Sequence, residues 1–442
     1  MARRRRKQLP QGSFPATIDS LSHDGRGVAH IDGKVTFIPT TLPGEEVQFH
    51  YSYRSRKHDE GILDSVDKAS DERVEAGCAH FGICGGCSLQ HMAAEAQMAY
   101  KQEALMDAFE RIGHVTPETV AAPLHSEAWG YRRKARLGVR YVYKKERVLV
   151  GFRERGTSYL ADIRHCKVLH PSVGEHLEAL GDMIMTLSIR EQLPQIEVAV
   201  GDDATVMIFR ILEPLSESEE KTIADFCAQR AWTPYLQDGG PQTVKPLRDV
   251  ATLTYSLPQE SLQFEFLPND FTQVNSDINR QMLSQAMEWL DLQGDEKVLD
   301  LFCGLGNFTL PLARRAKSVH GVEGDTALVE RARQNAIRND IDNVSFDVAN
   351  LYDEETPAFK WAKQKYDAVL LDPPRSGALE MMPLVAKMGA EKILYVSCYP
   401  GTLARDADVL VNQYGYRMVK AGVMDMFPHT AHVESMALFV KD

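Results

Sequence analysis

The sequence predicts an α/β protein with three parts: a doubly wound, mostly parallel sheet towards the C-terminus, a small β-barrel at the start, and an α+β segment between them. Three observations predict this. From Asp291 onward, strand-length apolar runs alternate with stretches of helical length, in "KVLDLFCGLGNFTLPLARR", "SVHGVEGDTALVERARQNAI", "NVSFDVANL", "YDAVLLDPPRSG" and "KILYVSC". Five strands joined by helical crossovers make a doubly wound sheet. Residues 10 to 66 instead carry short strands punctuated by Gly25, Gly27, Gly33 and Gly44, the spacing of tight turns. The chain is 442 residues long, which suits two or three domains.

Composition narrows the class. The chain is 44% apolar and 25% charged, as soluble globular proteins are. No apolar run approaches the ~18 residues a bilayer span needs, so no membrane segment is expected. The start, "MARRRRKQLP", is basic but has no apolar core behind it, unlike a secretory signal. Seven cysteines, four of them clustered, do not resemble the disulfide framework of an exported chain, and a cytoplasmic, reducing compartment is expected. Net charge is −12, yet residues 1–170 carry +5 and the rest −17. Polyanion binding depends on local rather than total charge. The two parts are expected to do different jobs.

Taken in order, residues 10–68 form the first domain. "ATIDSLS", "GRGVAHIDGKVTFIP", "LPGEEVQFHYSYRSRK" and "EGILDSV" contain five strands, with "KVTFIP" alternating as a half-buried strand does. Five short strands suit an oligonucleotide-binding (OB-like) barrel, or equally a generic β-domain. Residues 69–270 form the second. "GCAHFGICGGCSLQH" supplies Cys78, Cys84 and Cys87, and "DIRHCKV" adds Cys166. Four thiolates can close a zinc site or hold a four-iron cluster. Zinc usually takes two Cys-x-x-Cys pairs, and only one is present, so three close cysteines plus a distant fourth fit iron–sulfur better. Cys227 and Cys303 read as packing. A helix is expected from about Glu95 to Ile112, where it could pack on the C-terminal domain. "YRRKARLGVRYVYKKER" (Tyr131 to Arg147) has eight basic residues and one acid, interleaved with Tyr131, Tyr141 and Tyr143. Together with "MARRRRK" and Arg54 to Lys57, it could grip phosphates while its aromatics stack on unpaired bases. A solvated strand face is the plainer reading.

Residues 271–442 form the third domain. Gly304 and Gly306 follow an apolar strand and precede a helix, so the backbone can approach a ligand there. Asp300 lies within that strand, and Glu323 ends the next, 23 residues later, where a carboxylate can accept from both ribose hydroxyls. The three-glycine dinucleotide fingerprint is missing, which favours S-adenosyl-L-methionine over NAD. "LLDPPRSG" ends the fourth strand with Asp372 at its tip, and Pro373 and Pro374 stiffen the turn. Similar Asp-Pro-Pro-aromatic loops stack on a base, but here Arg375 stands in the aromatic position.

Cys398 ends the fifth strand, on the rim that carries Asp372, Gly304 and Glu323. A thiol beside a methyl donor points to covalent catalysis: adding it to carbon 6 of uracil turns carbon 5 into a nucleophile. A base must then remove the carbon-5 proton, and "MFPHTAHVESMALFV" offers Glu434, with His429 and His432 nearby. The target base must leave its stack to reach the thiol, and Phe271 could stack on it or on the cofactor. The plain alternative makes Cys398 a small buried hydrophobe and Glu434 a salt-bridge partner.

These motifs resemble those of the RNA uracil-5-methyltransferase family: "DLFCGLGNFTLPLA", "VEG", "LLDPPRSG", "VSCYPGTLARD" and "DMFPHTAHVESM", in order and over essentially the whole chain. "GRGVAHIDGKVTFIPTTLPGEEV" resembles the TRAM RNA-binding domain at the start of its ribosomal-RNA branch. The resemblance implies a Rossmann-like S-adenosylmethionine-dependent methyltransferase domain with Cys398 as nucleophile and Glu434 as base. It implies cofactor contacts from Gln273, Phe302, Asn307, Glu323, Asn350 and Asp372, and a 4Fe-4S cluster on Cys78, Cys84, Cys87 and Cys166. Its job would be structural, tying a loop to the central domain. The implied substrate is one uridine in a single-stranded loop of 23S rRNA, or flipped from its stack, modified by a monomer. The alternatives are a tRNA uracil-5-methyltransferase and a non-catalytic RNA-binding assembly factor. One departure stands out: Tyr399 and Gly401 occupy positions where the family usually has Asn and Ala.

Overall fold

A computed structural model describes residues 9–353 and 359–441. The arginine-rich start, Met1 to Lys7, therefore lies outside the described residues. The chain divides into two compact units, one of Met1–Lys101, Phe152–Ala161 and Phe427–His432, the other of Gln102–Gly151, Asp162–Met426 and Val433–Asp442. No helix among the described residues is long and apolar enough to cross a membrane.

The first unit holds a six-stranded sheet of β1 (Phe14–Thr17), β2 (Ser20–Leu21), β3 (Gly27–Ile31), β4 (Lys34–Ile38), β5 (Glu46–Arg54) and β6 (Asp59–Lys68), in the order β1-β5-β6-β4-β3-β2. The sequence predicts five strands. The extra one arises because "ATIDSLS" changes partner midway: Ile18 N–H bonds the Glu45 carbonyl, and Asp19 N–H bonds that of Val28. Alternation buries Ile18, Ala29, Ile38, Val47, Phe49 and Tyr51 in one core. Gly61 is required there, since a Cβ would lie 2.4 Å from the Phe49 ring.

Below this core, Glu45 is fully buried and accepts from Leu42 N–H at 2.8 Å and from Arg73 Nη2 at 2.7 Å. Burial works to raise its pKa, but the Arg73 guanidinium and the backbone N–H groups outweigh it and hold the carboxyl below the usual range. The cysteine loop follows. Cys84 N–H bonds the His80 carbonyl, and Gly85 N–H bonds that of Arg153, so segment 152–161 clasps the loop.

Helix α1 (Ala94–Ala108) and a wider turn, Phe109–Gly113, cover the helix expected over 95–112. Gly113 packs so tightly on the carbonyl of Ala404 that a Cβ would sit 2.6 Å from it. The short β7 (Thr119–Val120) comes next. A second six-stranded sheet contains β8 (Lys134–Val142), β9 (Arg147–Gly151), β10 (Gln195–Val200), β11 (Thr205–Arg210), β12 (Trp232–Gln237) and β13 (Lys245–Pro246). Helices α2 (Leu177–Met185) and α3 (Glu217–Ala228) accompany it, and β14 (Leu253–Leu257) with β15 (Leu262–Phe266) forms a hairpin.

The C-terminal sheet has the predicted doubly wound form. After α4 (Ser276–Leu290) come β16 (Lys297–Leu301), α5 (Thr309–Ala313), β17 (Ser318–Glu323), α6 (Thr326–Arg338) and β18 (Val344–Val348). They are followed by β19 (Ala368–Leu371), α7 (Met382–Met388), β20 (Lys392–Ser397), α8 (Pro400–Asp408), β21 (Arg417–Met424) and β22 (Glu434–Val440). The order is β18-β17-β16-β19-β20-β22-β21-β7, with the first five strands parallel and β22 antiparallel to both neighbours. Covered on both faces, the central strands read as continuous apolar runs. The strand order reverses between β16 and β19, and such switch points open a crevice at the carboxyl ends.

Replacing Arg73 by Ala would leave the Glu45 carboxylate buried and unpaired, a loss of about 3–5 kcal/mol. Urea unfolding at pH 7 checks it. Because that carboxyl titrates below its unfolded value, the wild-type advantage over Arg73→Ala should fade as pH falls through the carboxylate range.

Candidate active site

At the end of β16 the chain turns sharply. Phe302 adopts φ +64°, and the N–H groups of Phe302 and Cys303 both bond the Val322 carbonyl, at 2.9 and 3.1 Å. Left-handed backbone at a bulky residue costs energy, and here it swings the glycine loop across the top of β17. Gly304 N–H then bonds Glu323 Oε2 at 3.1 Å, while Gly324 N–H holds Oε1 at 2.7 Å. The acid at the tip of β17 is thereby oriented by backbone.

Three carboxylates meet at the switch point. Asp300 is fully buried, with one oxygen accepting from Thr309 Oγ1 at 2.5 Å and the other without a hydrogen-bond partner. Burial, then the charges of Asp372 and Glu323, push its pKa up to about 8. Burial and Glu323 push Asp372 up to about 7. An orphaned buried oxygen amid mutually repelling acids suits a ligand that brings positive charge. S-adenosylmethionine, with its sulfonium and ammonium groups, fits that demand.

The other expected cofactor residues have the following surroundings. The Phe302 ring lies 5.8 Å from that of Tyr352, whose hydroxyl donates to the Gly377 carbonyl at 2.9 Å and pairs with Ser376 Oγ at 3.0 Å. Tyr352 therefore joins the loop after β18 to the Asp-Pro-Pro loop. Asn350 is exposed, its Oδ1 accepting from Tyr352 N–H at 3.2 Å. Asn307 exchanges amide bonds with Asn279 at 2.9 and 3.1 Å and accepts from the half-buried Tyr255 hydroxyl at 2.9 Å. Gln273 lines a pocket with Tyr255 and Asn279. Neither Tyr255, in an ordinary hairpin, nor Asn279, on α4, carries a sequence signal. Phe271 is 68% exposed.

Cys398 and Glu434, the expected nucleophile and base, flank the end of a strand pairing. Ser397, the last residue of β20, sits opposite Ser435 of β22; Cys398 follows the one and Glu434 precedes the other, and the Glu434 charge is felt at the thiol. Both are half-buried. Burial, then the charges of Glu434 and Asp372, push the Cys398 thiol up to about 11, and Arg375 pulls against them. The thiol is therefore neutral at rest, within electrostatic reach of the proposed base and of the cofactor crevice. His429 and His432 fall in the first unit.

The loop beside the thiol is anchored by a residue the motif reading passed over. Asp406 is fully buried and accepts from Tyr395 Oη at 2.6 Å, Ala378 N–H at 2.7 Å and Arg405 Nε at 2.8 Å. Gly377 has φ +77°, and a Cβ there would press within 2.7 Å of both the Arg405 and Asp406 side chains.

The basic segment differs from expectation. Arg133 pairs with Asp202 at 2.7 Å, Arg136 with Glu197 at 3.0 Å, and Lys145 and Arg147 both with Asp162. Lys134 is turned onto the Asp270 carbonyl, and Tyr131 is buried. Acids distant in sequence thus offset much of the local charge, and only Tyr143, 68% exposed, offers a largely open ring.

Among the described residues, no three His, Cys, Asp or Glu side chains are grouped to hold a metal ion. Cys78, Cys84 and Cys87 nonetheless lie on one loop, none of them in a disulfide. Gly86 N–H approaches Cys84 Sγ at 3.4 Å, the charges of Cys78 and Arg155 are felt at Cys84, and Arg155 is also coupled to Cys87. A cation and an N–H beside sulfur are what thiolate ligands need.

Residues 242–442 match the family profile tRNA (Uracil-5-)-methyltransferase, and residues 13–49 match the TRAM domain. The chain is 51% identical to a 23S rRNA (uracil(1939)-C(5))-methyltransferase of Methylococcus capsulatus, over 99% of both chains. It is 50% identical to an enzyme of the same name from Alkalilimnicola ehrlichii, again over 99% of both. In fold it is similar to the Pyrococcus abyssi tRNA (uracil-54, C5)-methyltransferase solved with S-adenosyl-L-homocysteine, with TM-score 0.74 and 24% identity, over 97% of this chain and 100% of that one. With identity of this level along its whole length, the chain belongs to the S-adenosylmethionine-dependent RNA uracil-5-methyltransferase family.

Proposed function

We propose that this enzyme methylates carbon 5 of a uridine in 23S rRNA, through a transient bond between Cys398 and carbon 6 of the ring. The observation that carries the reading is a half-buried thiol at the end of β20 that feels the charges of both Glu434 and Asp372, the latter one of the crevice's three acids. The relatives' printed substrate, uridine 1939 of 23S rRNA, is the corresponding target. The tRNA reading has no comparable support, because likeness to the tRNA enzyme at 24% identity speaks to fold.

In this reading Cys398 loses its proton and its sulfur adds to carbon 6, sending the ring's electron pair towards carbon 5 and the carbonyl oxygen. The methyl donor supplies an electrophilic methyl on a positively charged sulfur. Glu434 takes the carbon-5 proton, the double bond re-forms, and the thiolate leaves. Gln273, Phe302, Asn307, Glu323, Asn350 and Asp372 contact the donor, with Glu323 on the ribose.

The parts divide the work. Residues 10–68 are an OB-like TRAM barrel that binds RNA, residues 69–270 a central domain, and residues 271–442 the catalytic domain. Cys78, Cys84, Cys87 and Cys166 hold a structural 4Fe-4S cluster, which couples metal binding to folding. What supports this is the chemistry of the loop: thiols outside any disulfide, next to Arg155. The chain acts as a monomer on a single-stranded loop or a flipped uridine. Its seven cysteines, none in a disulfide, accord with a reducing cytoplasm.

The direct test incubates the protein with labelled methyl donor and unmodified 23S rRNA, with tRNA as the control, and maps the label. Cys398→Ala should abolish transfer while donor binding survives, and Glu434→Gln should leave protein bonded to RNA through denaturing electrophoresis.

Alkylation of Cys398, followed by peptide mass mapping, should accelerate with pH up to about 11 in the wild type. Glu434→Gln removes a negative neighbour, so the thiolate becomes easier to form and the profile should move to lower pH.

Anaerobically reconstituted protein should hold about four irons per chain. Cys87→Ser should lose them, and with them part of the thermal stability.

A further inference from the structure

Tyr399 follows the nucleophile directly, yet its ring is 47% exposed. Its backbone is pinned on both sides. The Tyr399 N–H donates to Ser397 Oγ at 3.1 Å, and its carbonyl accepts from Ser397 Oγ and Thr402 Oγ1, each at 3.1 Å, and from Thr402 N–H at 3.2 Å. Pro400 opens α8 immediately afterwards and stiffens the entry. The ring then lies against Gly401: a Cβ there would be 3.0 Å from Tyr399 Cε1 and 3.6 Å from Cζ. That spacing is tighter than ordinary carbon contact, so glycine is what lets the ring rest on the first turn of the helix. Tyr399 and Gly401 thus form one unit, an aromatic plate backed by peptide and open to solvent. Burial alone does not explain it, because about half the ring remains wet.

Arg375 stands beside this plate. Its carbonyl accepts from Thr402 Oγ1 at 3.3 Å, the same hydroxyl that reaches the Tyr399 carbonyl, and its side chain is exposed. An open aromatic face matches an unpaired base, and an exposed arginine whose backbone shares the Thr402 hydroxyl with Tyr399 matches the phosphate of the same nucleotide. The ring rests over Gly401, and in the reading above the face of the target uracil belongs to the attacking sulfur. The plate must therefore meet a neighbour in the RNA chain.

We propose that Tyr399 is a stacking platform for the unpaired RNA nucleotide flanking the target uridine, with Arg375 on that nucleotide's phosphate. The proposal rests on the reading of Cys398 as the uridine nucleophile. Its test separates the two by measuring RNA affinity without turnover. In a Cys398→Ala background, Tyr399→Ala should weaken binding of a single-stranded 23S rRNA fragment containing the target uridine by ~10-fold or more, the value of one lost base stack. Tyr399→Phe should bind as the parent does, and donor affinity should stay constant in both, which distinguishes a lost platform from a disturbed fold. Gly401→Val, which pushes the ring off its seat, should weaken RNA binding in the same direction. RNA affinity within about twofold of the parent for Tyr399→Ala, or a loss in Tyr399→Phe equal to that in Tyr399→Ala, would overturn the platform. Failure of otherwise wild-type protein to methylate the fragment would instead overturn the reading of the enzyme.

Discussion

The pairing of β20 with β22 is the constraint on which the site depends. Ser397 lies opposite Ser435, and that register brings Glu434 close enough for its charge to be felt at Cys398, although the two are far apart in sequence. Strand side chains alternate between faces, so a slip of one residue would carry the carboxylate to the other side of the sheet. Apolar alternation cannot hold this register, because Met436, Ala437, Leu438 and Phe439 are all buried. Placing β22 between β20 and β21 gives it hydrogen-bonding partners on both edges, and the buried Ser435 hydroxyl adds a bond to the Ser397 carbonyl at 3.4 Å. The chemistry is positioned by backbone pairing rather than by flexible side chains.

Electrostatics then divides the rim into two tasks. At the switch point, burial makes Asp300 and Asp372 costly to ionise, and the charges of Asp372 and Glu323 on the first and of Glu323 on the second add to it. A bound cation turns that repulsion into attraction, so the crevice prefers a positively charged donor to its neutral product. Near Cys398, burial first and then the charges of Glu434 and Asp372 keep the thiol protonated, and Arg375 opposes them. The cysteine is thus restrained until something offsets the negative field, a sensible arrangement for a reactive group that must not alkylate at random.

Rigidity comes from polar groups buried behind the rim. Asp406 gathers Tyr395, Ala378 and Arg405, and Tyr352 links two loops through Ser376 and Gly377. The reciprocal amide pair of Asn279 and Asn307, with Tyr255, does the same beneath the glycine loop. Fully satisfied networks of this kind hold loops in one conformation.

From sequence alone, the doubly wound sheet, the glycine loop and the candidate reactive residues could be read. Those depend on local pattern: apolar runs, turn residues, and reactive side chains at strand ends. Only the tertiary structure decided that the Glu434 charge is felt at Cys398, that Asn307 is held by Tyr255 and Asn279, and that Asp202, Glu197 and Asp162 offset the basic segment. It also decided that Tyr399 lies across Gly401 with its ring half open. The reason is common to all of these. Register, ion pairing and exposure depend on residues distant in the chain, and local spacing carries no record of which of them the fold will bring near.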